Sequence, residues 1–197
     1  MGLAQIPRLS AQQTPRYHRL RPSESHEIRQ TLPFLALQQQ RFTLHFSNQS
    51  SAAHTPAERD FYRWAWQALK NEYRRAQISI ILLDETEARA YNRDYRGKDY
   101  ATNVLSFALN EGEDLPAPHL SDGLFGDLII CPQVVLKEAA EQGKTPAQHF
   151  AHLTLHGVLH LMGYDHIEDD EAEAMETLEI RLLNQLAYPN PYAQDEI

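Results

Sequence analysis

The chain has almost no cysteine. Cys131 is the single one in 197 residues, so neither a disulfide framework nor a cysteine-based zinc site can be built from it. Long apolar runs are absent too. Nowhere do about 18 apolar residues follow one another, and no transmembrane helix is expected. The N-terminus has no apolar stretch behind its charges, so no secretory signal is expected. Met1-Gly2 is followed by Ile6 where a myristoylation signal wants Ser or Thr. Together these absences point to the cytoplasm. An excess of positive charge is also lacking. The net charge of −9 argues against binding nucleic acid through the whole surface, so any such contact must use a local patch. Residues 1–41 hold six Arg and two Glu, a net of +4 that leaves −13 for the remainder.

What is there describes an ordinary globular chain. Apolar residues make up 42% and charged residues 23%, enough for one domain with its own core. Residues 1–40 stand apart. They hold Pro7, Pro15, Pro22 and Pro33, many Gln and no sustained period, and read as a flexible basic N-terminal extension. It is either a solvated tail or an arm touching RNA through Arg16, Arg19 and Arg21. The domain proper would occupy 41–197.

Alternation at Phe42, Leu44 and Phe46 predicts a first strand. Pro56 suits the first turn of a helix running to about Tyr73, with Phe61, Trp64, Ala65, Ala68 and Leu69 inward as core rather than as a base-stacking platform. Ile78 to Leu83 is a second strand. Asp84 or Thr86 could cap a short helix that ends near Gly97. Thr102 to Leu109 reads as a third strand, 110–123 as a loop, and Gly126 to Cys131 as a fourth strand stopped by Pro132. A helix from Gln133 to Gln142 follows. Next comes a helix over 146–162 with Thr145 as N-cap, Pro146 in its first position, Gln148 as capping-box partner and Gly163 as stop. A last helix begins at Glu168 and buries Met175, Leu178, Leu182 and Leu186. The expected class is α+β, a small mixed sheet of about four strands packed with helices, including a zincin-like metal helix.

That metal helix carries the chemistry. His156 and His160 are four apart and share a face. Gly163 lets the chain turn back, which brings His166 toward them. Three neutral imidazoles with a fourth position left for water make a catalytic rather than a structural metal site. Zinc is favoured, although imidazole also suits nickel, copper and iron. The spacing matches metzincin proteases, which place a Glu directly after the first His. Gly157 stands there instead and cannot move a proton. A phosphodiester is the other candidate substrate and needs cations. Arg93, Arg96 and Lys98 form the compact basic cluster of the core. They could grip phosphate or simply complement a helix C-terminus. No general base is obvious. Asp165 and Glu168 are near in sequence, but Asp165 could equally orient a histidine.

Three stretches resemble the YbeY family of bacterial endoribonucleases and rRNA maturation factors. They are His156-Gly157-x-Leu159-His160-Leu161-x-Gly163-Tyr164-Asp165-His166, then Tyr95-Arg96-Gly97-Lys98-Asp99 followed by Thr102 to Phe107, and Gly126-Asp127-Leu128-Ile129-Ile130. The resemblance covers about residues 41–192. It implies one zinc ion on His156, His160 and His166. It also implies cleavage of single-stranded RNA, in 16S rRNA 3′-end maturation and 70S ribosome quality control. The expected partners are rRNA and the small ribosomal subunit, with neither membrane nor DNA. The family's functionally important arginine falls on Arg96, giving it a catalytic role. Ala108 stands where the family often has Pro, and residues 1–40 have no counterpart in its short members. Two alternatives stand beside this reading. One is a non-nuclease ribosome-assembly factor stabilised by zinc, and the other a metal-dependent hydrolase, peptidase included, of another substrate.

Overall fold

The computed structural model describes residues 41–109, 123–166 and 168–193. The extension expected over 1–40, and nearly all of the loop expected over 110–123, lie outside them. The strands are β1 (Phe42–Asn48), β2 (Arg75–Leu82), β3 (Val104–Ala108) and β4 (Gly123–Ile130). They form one sheet in the order β1-β2-β4-β3. β1, β2 and β4 run parallel, and β3 closes one edge antiparallel to β4. Among the described residues the helices are α1 (Glu58–Leu69), α2 (Glu85–Arg96), α3 (Pro132–Glu141), α4 (Pro146–Leu161) and α5 (Asp169–Gln185). The expected α+β class with a four-stranded mixed sheet is what the chain forms.

Side chains alternate across a strand, and here the alternation sorts the helices. Leu128 and Ile130 of β4 join Ile78, Ile80 and Val104 in the main core, with Phe61, Phe150 and Leu155 from α1 and α4. Ile129 points the other way and joins Ile81, Leu83 and Leu105 under Tyr91 and Phe107. So α1 and α4 cover one face, and α2 covers part of the opposite one. The sequence leaves α4 few polar positions: Phe150, Leu155, Val158 and Leu159 are all at most 1% exposed. Each such burial is worth about 1.5–3 kcal/mol. The helix is therefore anchored chiefly by its apolar residues. Aromatic rings consolidate the same side, with Phe61 edge-on to Trp64 and to Phe150.

Element ends shift for local reasons. α1 stops at Leu69 rather than near Tyr73, and the Arg41 guanidinium donates to the carbonyls of Lys70 and Tyr73 just beyond it. β4 begins at Gly123, three residues early, because it pairs with β2 from Arg75 onward. β3 is shorter than expected, since the Asn103 side chain accepts from Val104 N–H at 2.6 Å. Asp84 does precede α2, but its side chain makes no capping bond. Instead it accepts from Ser50, Ser51 and Gln133, tying the carboxyl ends of the strands together.

Those donors, led by the hydroxyl of Ser50 and the amide of Gln133, hold the Asp84 carboxyl well below the usual carboxylate range. A group with a depressed folded pKa stabilises fully above its unfolded value and loses that contribution as pH falls through the folded one. Asp84→Asn is therefore expected to lower Tm at pH 7. Thermal melts at stepped pH should show the gap to wild type closing below about pH 4. A gap independent of pH would show that the charge of Asp84 is not what is lost.

Candidate metal centre

α4 starts as its sequence dictates. Thr145 Oγ1 accepts from Gln148 N–H at 3.3 Å, Gln148 Oε1 accepts from Thr145 N–H at 2.7 Å, and Pro146 fills the first turn. Its end is equally local. Gly163 has φ +91°, a conformation that disfavours a Cβ, and Tyr164 N–H donates back to the Leu159 carbonyl at 3.0 Å. The reversed chain brings His166 beside the helix. Ring centroids are 4.5 Å apart for His156 and His160, 5.1 Å for His160 and His166, and 5.5 Å for His156 and His166. One ligating nitrogen from each falls within 4.8 Å of the other two. The three histidines proposed from spacing are thus brought together. His156 and His160 are half-buried and His166 is exposed, so the cluster opens to solvent.

Hydrogen bonds decide which nitrogens face inward. His156 Nδ1–H donates to Glu179 Oε1 at 2.8 Å, and His160 Nδ1–H donates to the Tyr164 carbonyl at 2.9 Å. A neutral ring held in this way has its Nε2 unprotonated, and the two Nε2 atoms stand 3.0 Å apart. Two lone pairs aimed at each other repel unless a cation lies between them. The donor set therefore fits a divalent metal held by Nε2 atoms. Burial, with the neighbouring His156 and His166, also pushes His160 below its ordinary value, which favours the neutral form a ligand needs.

Behind the tripod lies a carboxylate. Glu179 of α5 is fully buried. Besides His156 it accepts from His152 Nε2–H at 3.2 Å and from the hydroxyl of Tyr192. Burial pushes this carboxyl up, but the hydrogen bonds from His152 and His156 outweigh it and hold it at about 2. Burial pushes His152 down despite Glu179. His149 is buried as well, donating to Glu138, which also accepts from Asn103. His152, His156 and Glu179 form a second group whose ligand atoms are close enough for an ion. Glu179 is fully buried and the His152 side chain only 11% exposed, however, and the carboxylate is already engaged by three donors. Of the two groups, the tripod is the one open to solvent. Glu179 escaped the sequence reading, although a signal was present: it lies four residues after Met175 and three before Leu182, an acid inside the apolar stripe of α5.

Gly157 faces the sheet. A Cβ there would meet Leu128 Cδ2 at 3.0 Å and Ser106 Oγ at 3.3 Å, and its carbonyl accepts from Ser106 Oγ at 3.2 Å. Asp165 accepts from His166 N–H at 2.8 Å and so shapes the turn. Arg96 is not part of the cluster. It ends α2, on the opposite face of the sheet from α4. Tyr95 packs on Phe107 of β3, with ring centroids 5.1 Å apart. On the other face, Leu161 of α4 sits against Gly126, close to the Phe107 carbonyl. The two helices thus emerge at the same end of the edge strand, one on each side. Within the basic cluster Arg93 is paired with Asp94, and upstream Arg89 is paired with Asp99. Arg96 and Lys98 are exposed and make no ion pair among the described residues. No described helix is long and apolar enough to cross a membrane.

Residues 45–187 match the family model described as Endoribonuclease YbeY. A Neisseria meningitidis serogroup C protein named Endoribonuclease YbeY is 79% identical over 164 residues, 83% of this chain and 95% of that one. One of the same name from Chromobacterium violaceum is 52% identical over 165 residues, covering 84% and 96%. A solution structure of a Thermotoga maritima protein aligns at TM-score 0.49 and 24% identity, over 74% of this chain and 92% of that one. The matched span takes in all three clustered histidines, Arg96 and Glu179, and the chain belongs to the endoribonuclease YbeY family.

Proposed function

We propose that the chain is a zinc-dependent endoribonuclease that cuts single-stranded RNA. Its work would be in the cytoplasm, in 3′-end maturation of 16S rRNA and in quality control of 70S ribosomes, with the small subunit as partner. Residues 41–197 would form the catalytic domain, with α4 and the turn after it as a zincin-like centre. The observation that carries this reading is the open tripod, with two Nε2 atoms facing at 3.0 Å, in a chain whose relatives are named endoribonucleases. His156, His160 and His166 would hold the ion. When bound, zinc supplies Lewis acidity toward a phosphoryl oxygen and lowers the pKa of water toward neutrality.

Arg96 would hold the RNA backbone. Among the described residues it has no carboxylate partner, and a guanidinium so placed can take two phosphate oxygens. A strand crossing the β3 edge could reach both Arg96 and the histidines. Water and the ribose 2′-OH are both open as nucleophile, and products ending in 2′,3′-cyclic phosphate would exclude direct attack by water.

The test is turnover of single-stranded RNA by pure protein, with and without zinc, beside an Arg96→Glu variant. Arg96→Glu is expected to lower kcat/KM by about 10- to 100-fold, the size of one or two lost charge-assisted hydrogen bonds. Zinc content and Tm should stay unchanged. Arg96→Ala should flatten the dependence of log affinity on log salt by about one. Cleavage unchanged in the Glu variant would remove Arg96 from the mechanism. Cleavage independent of metal and unaffected in both variants would mark a contaminating nuclease.

A further inference from the structure

We propose that Glu179 is a positioning residue for the metal centre: from α5 its carboxylate fixes the His156 ring in the tautomer that presents Nε2 to the ion. The inference rests on the reading of His156, His160 and His166 as ligands. Three observations carry it.

The first is placement. An ionisable side chain with no exposure sits where Met175, Leu182 and Leu183 of the same helix are buried, a position an apolar residue would fill at no desolvation cost. The second is the contact itself. At 2.8 Å, Glu179 Oε1 takes the Nδ1–H of His156, so the ring can neither flip nor shift its proton without losing a bond to a charged acceptor. His160 Nδ1 is held by a backbone carbonyl of its own turn, whereas among the described residues His156 Nδ1 has this carboxylate alone. The third is the support behind the carboxylate. Oε2 is held from two further directions, by His152 and by Tyr192 from the segment after α5. A group that served only to join α4 to α5 would need one such bond. Here the extra donors immobilise the oxygen pair that aims the ligand. A carboxylate behind a ligating imidazole also makes its far nitrogen a stronger donor.

Glu179→Gln keeps the shape and removes the charge. In the full chain, at one fixed pH, its zinc dissociation constant is expected to rise about 10- to 100-fold. The dissociation constant is read by competition with a chromophoric chelator. The melting temperature of the metal-free variant is measured alongside, because a purely structural role would move that value and leave the affinity of the folded protein alone. Long-range ¹H–¹⁵N spectra of the metal-free wild type supply a readout that needs no variant, and His156 should carry its proton on Nδ1. Wild-type zinc affinity in Glu179→Gln, or a His156 proton on Nε2 in the wild type, would overturn the proposal. Failure of the wild type to bind zinc, or full binding by His160→Ala, would instead overturn the ligand assignment and this inference with it.

Discussion

His160→Ala is expected to abolish zinc binding and RNA cleavage while leaving the metal-free protein folded. A tripod reduced to two imidazoles no longer makes the three-ligand centre that a catalytic zinc requires. Lewis-acid stabilisation is worth several kcal/mol, and each 1.36 kcal/mol is a factor of ten, so cleavage should fall at least about a thousandfold. The fold should hardly respond. His160 is half-buried, and its Nδ1–H donates only to the Tyr164 carbonyl at the surface. The predicted cost is about 1 kcal/mol or less. His156→Ala should lose metal and activity to the same degree but differ in stability, because it takes one donor from the buried Glu179 carboxylate. His152 and Tyr192 remain, so the cost should be about 1–3 kcal/mol, or roughly 2–12 °C in Tm. Zinc content by atomic absorption, cleavage of a labelled RNA and melting of the chelator-treated proteins check all three expectations. Stoichiometric zinc in either variant would refute the ligand assignment.

The site was legible where its chemistry is local. His156, His160, Gly163 and His166 lie within eleven residues, and helix geometry with one left-handed turn suffices to bring the rings together. The capping of α4 by Thr145 and Gln148 is local in the same way. Periodicity likewise gave the four strands, with ends displaced where pairing or a side chain intervened, as Asn103 does at β3. Contacts that depend on long-range packing did not show. Glu179 meets His156 from 23 residues away, and only its place inside an apolar stripe hinted at burial. Asp84 looked like a cap because a cap needs only its neighbours, but the partners that claim it, Ser50 and Gln133, lie 34 and 49 residues off. The face on which α2 packs follows from the strand order, which the sequence does not contain. The same gap explains why the sequence could not show that β3 lies between Arg96 and the histidines.

Gly157→Glu tests why the protease-like spacing here lacks the protease's acid. The substitution restores the residue that follows the first histidine in metzincins, so a reading from spacing alone would expect a gain of peptidase activity. The packing predicts a loss of stability instead. A Cβ at 157 already comes within 3.0 Å of Leu128 and 3.3 Å of Ser106, and the glutamate stem would extend further into the space that β4 and β3 occupy. Overpacking of this kind costs about 1–3 kcal/mol, and a carboxyl forced among apolar neighbours without donors adds to it. A total near 3 kcal/mol would lower Tm by roughly 6–12 °C. The α4 backbone would have to move off the sheet, carrying His156 and His160 with it while His166 stays on its turn. Zinc affinity and RNA cleavage should therefore fall together, with no peptide hydrolysis in their place. Gly157→Ala should show a weaker form of the same effect, since the Leu128 methyls can yield a few tenths of an ångström. A Gly157→Glu variant that melted like wild type and hydrolysed peptides would mean that position 157 faces the metal rather than the sheet.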